Sequence, residues 1–305
     1  MHAATATERD AIVAALERDG IAPITGLITP EALGAMRAAY QRVLEHLAWS
    51  TTRGYQQTDP YRRMVEDILT LDPTFQALAL HPRLQVILRE YLGPEYVLTE
   101  VKGWETVATR ADFHGWHNDA WYDHELPEVP REVKLGVYLT DVETGHFAYI
   151  KGSHLNNRHR HWNEREISGM RDRIADMKGP AGSTFLFDTA GIHRQSSPVL
   201  KPRWVVMYNY HDIRVPLQKL DLSAYRYHPL ILNAAFLGGL SAEEQRILGF
   251  GNQSQYQEGH PLEVRHPLLQ SSATWLYRRY LTAEHGVEQA REALRAMRRR
   301  LGGGG

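Results

Sequence analysis

Residues 182–212 read GSTFLFDTAGIHRQSSPVLKPRWVVMYNYHD. Two stretches, TFLFD (184–188) and RWVVMYNYHD (203–212), are rich in aromatic and β-branched residues and short enough to be strands. Thr189, Ala190 and Gly191 make a turn after the first, and His193 stands at the start of whatever follows. No helical periodicity separates them. The same texture extends upstream through YVLTEVKGWETVA (96–108), DFHGWHND (112–119), EVKLGVYLTDV (132–142) and HFAYIKG (146–152). Consecutive short strands without intervening helices predict a barrel or sandwich rather than a parallel βαβ sheet.

Helices flank this block. Ala11, Ile12, Ala15 and Leu16 recur at helical spacing and stop at Gly20. Thr29-Pro30-Glu31 opens a second helix with a cap, a proline and an acid, and Leu33, Met36, Tyr40, Leu44 and Leu47 form its apolar stripe. TFQALALHPRLQVILREYLG (74–93) reads as a third helix ending at Gly93. Beyond residue 215 helices return, with a capping box at Ser241-x-x-Glu244, a stop at Gly249, and a last amphipathic stretch from Val287 to Leu301. The polar segment 156–178 reads as an excursion between strands, a lid with Gly169 and Gly179 as hinges. Within it RHRHWNER (158–165) reads as solvated helix, although His159 and His161 stand two apart. With no repeat and no clear linker, residues 1–305 are expected to form a single domain, the barrel core spanning 95–212 and a helical extension 215–305.

The chain has 305 residues, a net charge of −1 and no cysteine, which excludes disulfides, thiolate metal sites and a cysteine nucleophile. The balanced charge argues against nucleic-acid or membrane-surface binding. The N-terminal stretch is charged throughout and no segment is long enough to span a bilayer, so a soluble cytoplasmic protein is expected.

Chemistry enters through FHGWHNDAW (113–121). On a strand, residues i and i+2 share a face, so His117 and Asp119 would present an imidazole and a carboxylate together. His193 offers a third ligand. Two histidines and one carboxylate on one face of an octahedral ion leave three positions open, the arrangement of non-heme Fe(II) oxygenases. Two of those suit a bidentate 2-oxo acid and one suits O₂, and a guanidinium beyond the metal would pair with the far carboxylate. Arg203 is the candidate, with Arg194 and Lys201 as alternatives. His114 and His117, three apart, would share a zinc only if helical.

ALERDGIAPITGLITPEALGAMRAAY, HND, VYLTDVETGHFAYIKGSH and GSTFLFDTAGIHRQSSPVLKPR occur in that order. Together they resemble the phytanoyl-CoA dioxygenase family of Fe(II)/2-oxoglutarate-dependent oxygenases over roughly residues 10–212. The resemblance implies a mainly β fold with flanking helices, a double-stranded β-helix (a jelly-roll, cupin-like barrel). It implies Fe(II) on His117, Asp119 and His193, with 2-oxoglutarate and O₂ as co-substrates and Arg203 on the 2-oxoglutarate carboxylate. Tyr138, Lys102 and Ser196 are further candidates for contact with 2-oxoglutarate. Trp104, Trp116, Trp121 and Tyr122 are candidates for the substrate pocket. Retention of Asp119 implies hydroxylation rather than halogenation, since family halogenases give up that carboxylate. The expected partner is a small organic molecule, with a natural-product intermediate in view; the oligomeric state stays open, a homodimer included. Two other readings remain: a cupin-like metal enzyme that uses no 2-oxo acid, and a non-catalytic barrel that binds a small ligand.

Overall fold

The computed structural model describes residues 6–45, 57–59, 62–65, 68–112, 115–119, 131–156, 161–212 and 239–248, together with residues 279 and 283. Twelve strands among them form two antiparallel sheets. They are β1 (Ile21–Ile24), β2 (Gln57–Asp59), β3 (Arg62–Val65), β4 (Tyr96–Thr106), β5 (Trp116–His117) and β6 (Glu132–Tyr138), followed by β7 (Val142–Ile150), β8 (His161–Trp162), β9 (Ile174–Gly179), β10 (Thr184–Asp188), β11 (His193–Gln195) and β12 (Arg203–Asp212). The larger sheet runs β1-β10-β6-β12-β4-β3-β2 and the smaller β8-β5-β11-β7-β9. Among the described strands the chain crosses between them from β4 to β5, β5 to β6, β6 to β7, β9 to β10, β10 to β11 and β11 to β12, which makes the double-stranded β-helix anticipated above.

The two faces of the larger sheet have different fates. Val133, Leu135, Val137, Leu186, Val206, Tyr208 and Tyr210 point outward into a core shared with the helices. These helices are α1 (Ala6–Asp19), α2 (Pro30–Glu45), α3 (Ile68–Leu71), α4 (Pro73–Ala79) and α5 (Pro82–Leu92). The alternate residues point into the barrel, where Tyr138, Phe185, Phe187 and Val205 meet Val142, Phe147, Tyr149 and Ala175. Strand alternation thus builds two cores from one sheet. At Gly136 a Cβ would lie 2.4 Å from the Phe185 ring, so the inward place there belongs to phenylalanine.

Gly20 ends α1 with φ +76° while its N–H donates to the Leu16 carbonyl at 2.9 Å. Ala32 N–H donates to Thr29 Oγ1 at 3.2 Å, capping α2. The third helix expected from the sequence is two. Leu80 and His81 interrupt it because Pro82 has no N–H and disfavours helical geometry in the residue before it. His81 is extended and its Nδ1 accepts from Arg83 N–H at 3.3 Å, starting α5 afresh, while Asp72 caps α4.

The segment 156–178 is also different from its expectation. It contains β8, a short helix α6 (Glu164–Ile167), a 3₁₀ turn (Ser168–Arg173) and most of β9. β8 pairs with β5 and β9 with β7, so these two stretches are barrel strands rather than parts of a free lid. Ile167 is 1% exposed in a cluster with Trp116, Ala148, Ile150 and Ile192, so α6 covers the outer face of the smaller sheet. The larger sheet also takes in β1, β2 and β3 from upstream of residue 95, so its strands extend beyond 95–212. The Ser241–Glu244 capping box opens α7 (Ala242–Ile247), whose Arg246 reaches the Tyr96 carbonyl. Gly249, residues 215–238 and the last amphipathic stretch lie outside the described residues.

Candidate metal and co-substrate site

Antiparallel pairing of β5 with β11 sets His117 directly opposite His193. Their rings lie 4.5 Å apart between centroids. Each Nδ1 is engaged with the carbonyl two residues earlier, His117 with Gly115 O at 3.1 Å and His193 with Gly191 O at 2.9 Å. That contact fixes the proton on Nδ1 and leaves Nε2 as a lone-pair donor, the tautomer a metal requires. Asp119 follows β5, and its N–H donates to Thr189 O at 2.9 Å, while Asn118 Nδ2 donates to Ala190 O at 3.2 Å. These bonds sew the motif to the turn that precedes His193. Asp119 Oδ1 is 3.6 Å from His117 Nε2, and Oδ2 is 3.4 Å from His193 Nε2. All three ligand atoms fall within 4.8 Å of one another. His193 is walled by Phe147 and Phe187, with ring centroids 5.2 and 5.1 Å away, and Tyr149 stacks parallel to it.

Lys134, on the inner face of β6, was not singled out from the sequence. Its Nζ lies 2.6 Å from Asp119 Oδ2. Burial opposes the charge of both groups. The pair overcomes this, so that Lys134 holds the Asp119 carboxyl well below the usual range. The Lys134 ammonium is raised in turn by Asp119, Glu132 and Glu100. The signal for Lys134 was periodic: residues 134, 136 and 138 alternate inward, so choosing Tyr138 selects Lys134 as well.

Arg203 opens β12 and points into the barrel on the same face as Val205 and Met207. It is 5% exposed, and burial pushes its guanidinium down to about 10. Nη1 donates to Gly145 O and Nη2 to Gln195 Oε1 at 2.6 Å, but Nε is buried without a partner. Among the described residues no carboxylate pairs with it. Gln195, two residues after His193 on β11, keeps a buried Nε2 with no acceptor, and Ser196 a buried Oγ with no partner. Unmet hydrogen-bonding groups therefore collect at one end of the barrel. Gln195 escaped the sequence reading although it shares the inward face of His193 by the same two-residue step.

The two alternatives to Arg203 lie elsewhere. Arg194 faces outward, stacked 4.4 Å above Trp116 and bonded to Glu164 at 2.6 Å, and Lys201 is exposed. Tyr138 is fully buried near Arg203, but its hydroxyl donates to Met177 O at 2.8 Å and accepts from Phe147 N–H at 2.9 Å. Lys102 faces the barrel and pairs with Glu100. Trp104 packs against the inner aromatic cluster with Arg62 4.8 Å over its ring. Trp116 is a correction: as the immediate neighbour of His117 on β5 it points the opposite way, into the outer cluster under α6, and not into the pocket. Trp121, Tyr122, His114 and His159 lie outside the described residues. His161, expected on a solvated helix, pairs in register with His117 on β8.

The model of the phytanoyl-CoA dioxygenase (PhyH) family matches residues 16–198. The chain belongs to this family. Among curated proteins it is similar to ectoine dioxygenase of Nocardia farcinica (strain IFM 10152), 23% identical over 210 residues, 60% of this chain and 70% of that one. Among solved structures it is similar to EctD from S. alaskensis with 2-oxoglutarate and 5-hydroxyectoine. There the identity is 21% and the TM-score 0.56, covering 69% of this chain and 77% of that one. The epimerase SnoN in complex with Fe3+, alpha ketoglutarate and nogalamycin RO gives 18% identity and a TM-score of 0.55, covering 68% and 85%. At these identities the structural likeness establishes the PhyH chain's fold. No helix among its described residues is long and apolar enough to cross a membrane.

Proposed function

We propose that this PhyH-family protein is an Fe(II)/2-oxoglutarate-dependent dioxygenase that hydroxylates a small organic molecule. The observation that carries the reading is the buried, carboxylate-free Arg203 with its unmet neighbours, in the same barrel as the His117–Asp119–His193 triad. A cupin-like metal enzyme without a 2-oxo acid leaves that end of the barrel unexplained, and so does a passive binding barrel. A dicarboxylic acid supplies what is missing: one carboxylate for Arg203 Nε and Gln195 Nε2, and a 2-oxo acid head for the open positions of an ion.

Iron bound by the triad would supply the activation of O₂, coupled to conversion of 2-oxoglutarate to succinate and CO₂. The protein's own share is positional. The two Nδ1 contacts aim both Nε2 atoms at one point, and Arg203 with Gln195 aligns the co-acid. Phe147, Phe185, Phe187 and Val205 keep water from the space between. Asp119 keeps its carboxylate, which favours oxygen insertion over halogenation. SnoN is described with nogalamycin RO and EctD with 5-hydroxyectoine, which supports a small metabolite as substrate here.

Anaerobic protein given Fe(II) and 2-oxoglutarate should develop a visible charge-transfer band, and air should then yield succinate. His193→Ala should abolish both. A parent protein that binds Fe(II) but forms neither band nor succinate would refute the proposal.

A further inference from the structure

We propose that Lys134 is a positioning residue that confines Asp119 to one bond with the metal, keeping a third coordination position free. The inference rests on the metal reading above and adds to it a role for a side chain outside the triad. A carboxylate has two oxygens, and both can bind a divalent ion. If Asp119 used both, two histidines and one carboxylate would fill four of six octahedral positions, leaving two. A chelating 2-oxo acid takes both, and O₂ has nowhere to bind.

The geometry supplies a restraint. Lys134 Nζ lies 2.6 Å from Oδ2, a charge-assisted contact, while Oδ1 stays on the side of His117 Nε2 at 3.6 Å. Lysine and aspartate come from separate elements, β6 and the segment after β5, so the contact is made by the fold and not by a local turn. Register fixes the lysine on both sides: β6 pairs it with Phe187 on β10 and with Asn209 on β12. The Lys134 side chain is 12% exposed, so it has little room to leave the carboxylate for water. Oδ2 also lies 3.4 Å from His193 Nε2, so each oxygen faces one histidine and the lysine alone tells them apart: it engages Oδ2 and leaves Oδ1 for an ion held by the two rings.

Lys134→Met keeps length and bulk and removes the charge and donors. In anaerobic titrations the variant should still bind Fe(II). The two positions left by a doubly bound Asp119 still accept 2-oxoglutarate, so the charge-transfer band should form as in the parent, while its decay on adding O₂ should slow roughly 10–100-fold. Lys134→Arg should recover most of the parent behaviour, which a packing defect would not predict. A Met variant whose band decays on O₂ as fast as the parent's overturns the proposal. A crystal structure of the parent loaded with Fe(II) or Ni(II) decides the matter even where the variant does not fold. One Asp119 oxygen on the ion and the other on Lys134 supports it; both oxygens on the ion overturn it. A parent that forms no band at all, yet shows that split carboxylate around the ion, defeats the dioxygenase reading and leaves this one standing.

Discussion

Arg203→Ala removes the buried guanidinium that opens β12, and the structure sets the scale of the loss. Burial lowers the guanidinium from 12.5 to about 10, so holding it charged at neutral pH costs about 3 kcal/mol. A bound carboxylate relieves that cost and satisfies the idle Nε, which falls inside the ~2–5 kcal/mol typical of a buried charged hydrogen-bonded pair. The dissociation constant of 2-oxoglutarate should therefore rise roughly thirtyfold to several-thousandfold, with Fe(II) affinity nearly unchanged. Thermal denaturation of the Fe(II)-loaded, anaerobic protein reads this without any substrate. At about 100 times the parent's dissociation constant the co-acid adds ~2.7 kcal/mol, roughly a 5 °C rise in Tm; a variant weakened at least ~30-fold gains under about 1 kcal/mol, or less than about 2 °C. Arg203→Lys should recover only part of the shift, because an ammonium cannot reproduce the fork. The reasoning fails if the alanine variant shows the parent's rise at the parent's concentration of 2-oxoglutarate.

Two other substitutions separate architecture from chemistry. Tyr138→Phe removes a hydroxyl that ties β6 to Met177 O and Phe147 N–H, so it should cost ~1–3 kcal/mol in chemical denaturation while moving 2-oxoglutarate affinity far less than Arg203→Ala does. Ile167→Ala empties a buried site beneath α6 and should cost ~2–5 kcal/mol, measured by urea unfolding; a loss under about 0.5 kcal/mol would restore the free-lid reading of that segment.

The barrel was legible because its strands carry their own punctuation. TFLFD and RWVVMYNYHD alternate between an outer helix-facing and an inner face, and both sit at nearly the expected bounds. The triad residues were legible through the two-residue step between His117 and Asp119, and the structure brings His193 to them. What sequence spacing could not give was pairing across strands. Trp116 was assigned to the pocket because it brackets the motif in sequence, yet standing next to His117 on a strand is what turns it to the opposite face. The segment 156–178 looked solvated because β8 and β9 are short and polar; only their hydrogen bonds to β5 and β7 make them barrel. Lys134 and Gln195 were hidden for another reason: charged and amide residues inside a barrel look like surface residues until the face they occupy is known.

The brevity of β5 has a mechanical consequence. A two-residue strand holds its place with few ladder bonds, yet it carries one imidazole directly across from another on β11. Any ion gripped by both rings is therefore a rivet through adjacent ribbons, and a slip of one residue along either would turn a ligand to the wrong side of the sheet. Loading the metal and keeping the ribbons in phase are one event. Stripping the ion should loosen amide-exchange protection first at Trp116–His117 and at β8 beside it, and last at the long β4–β12 pair behind.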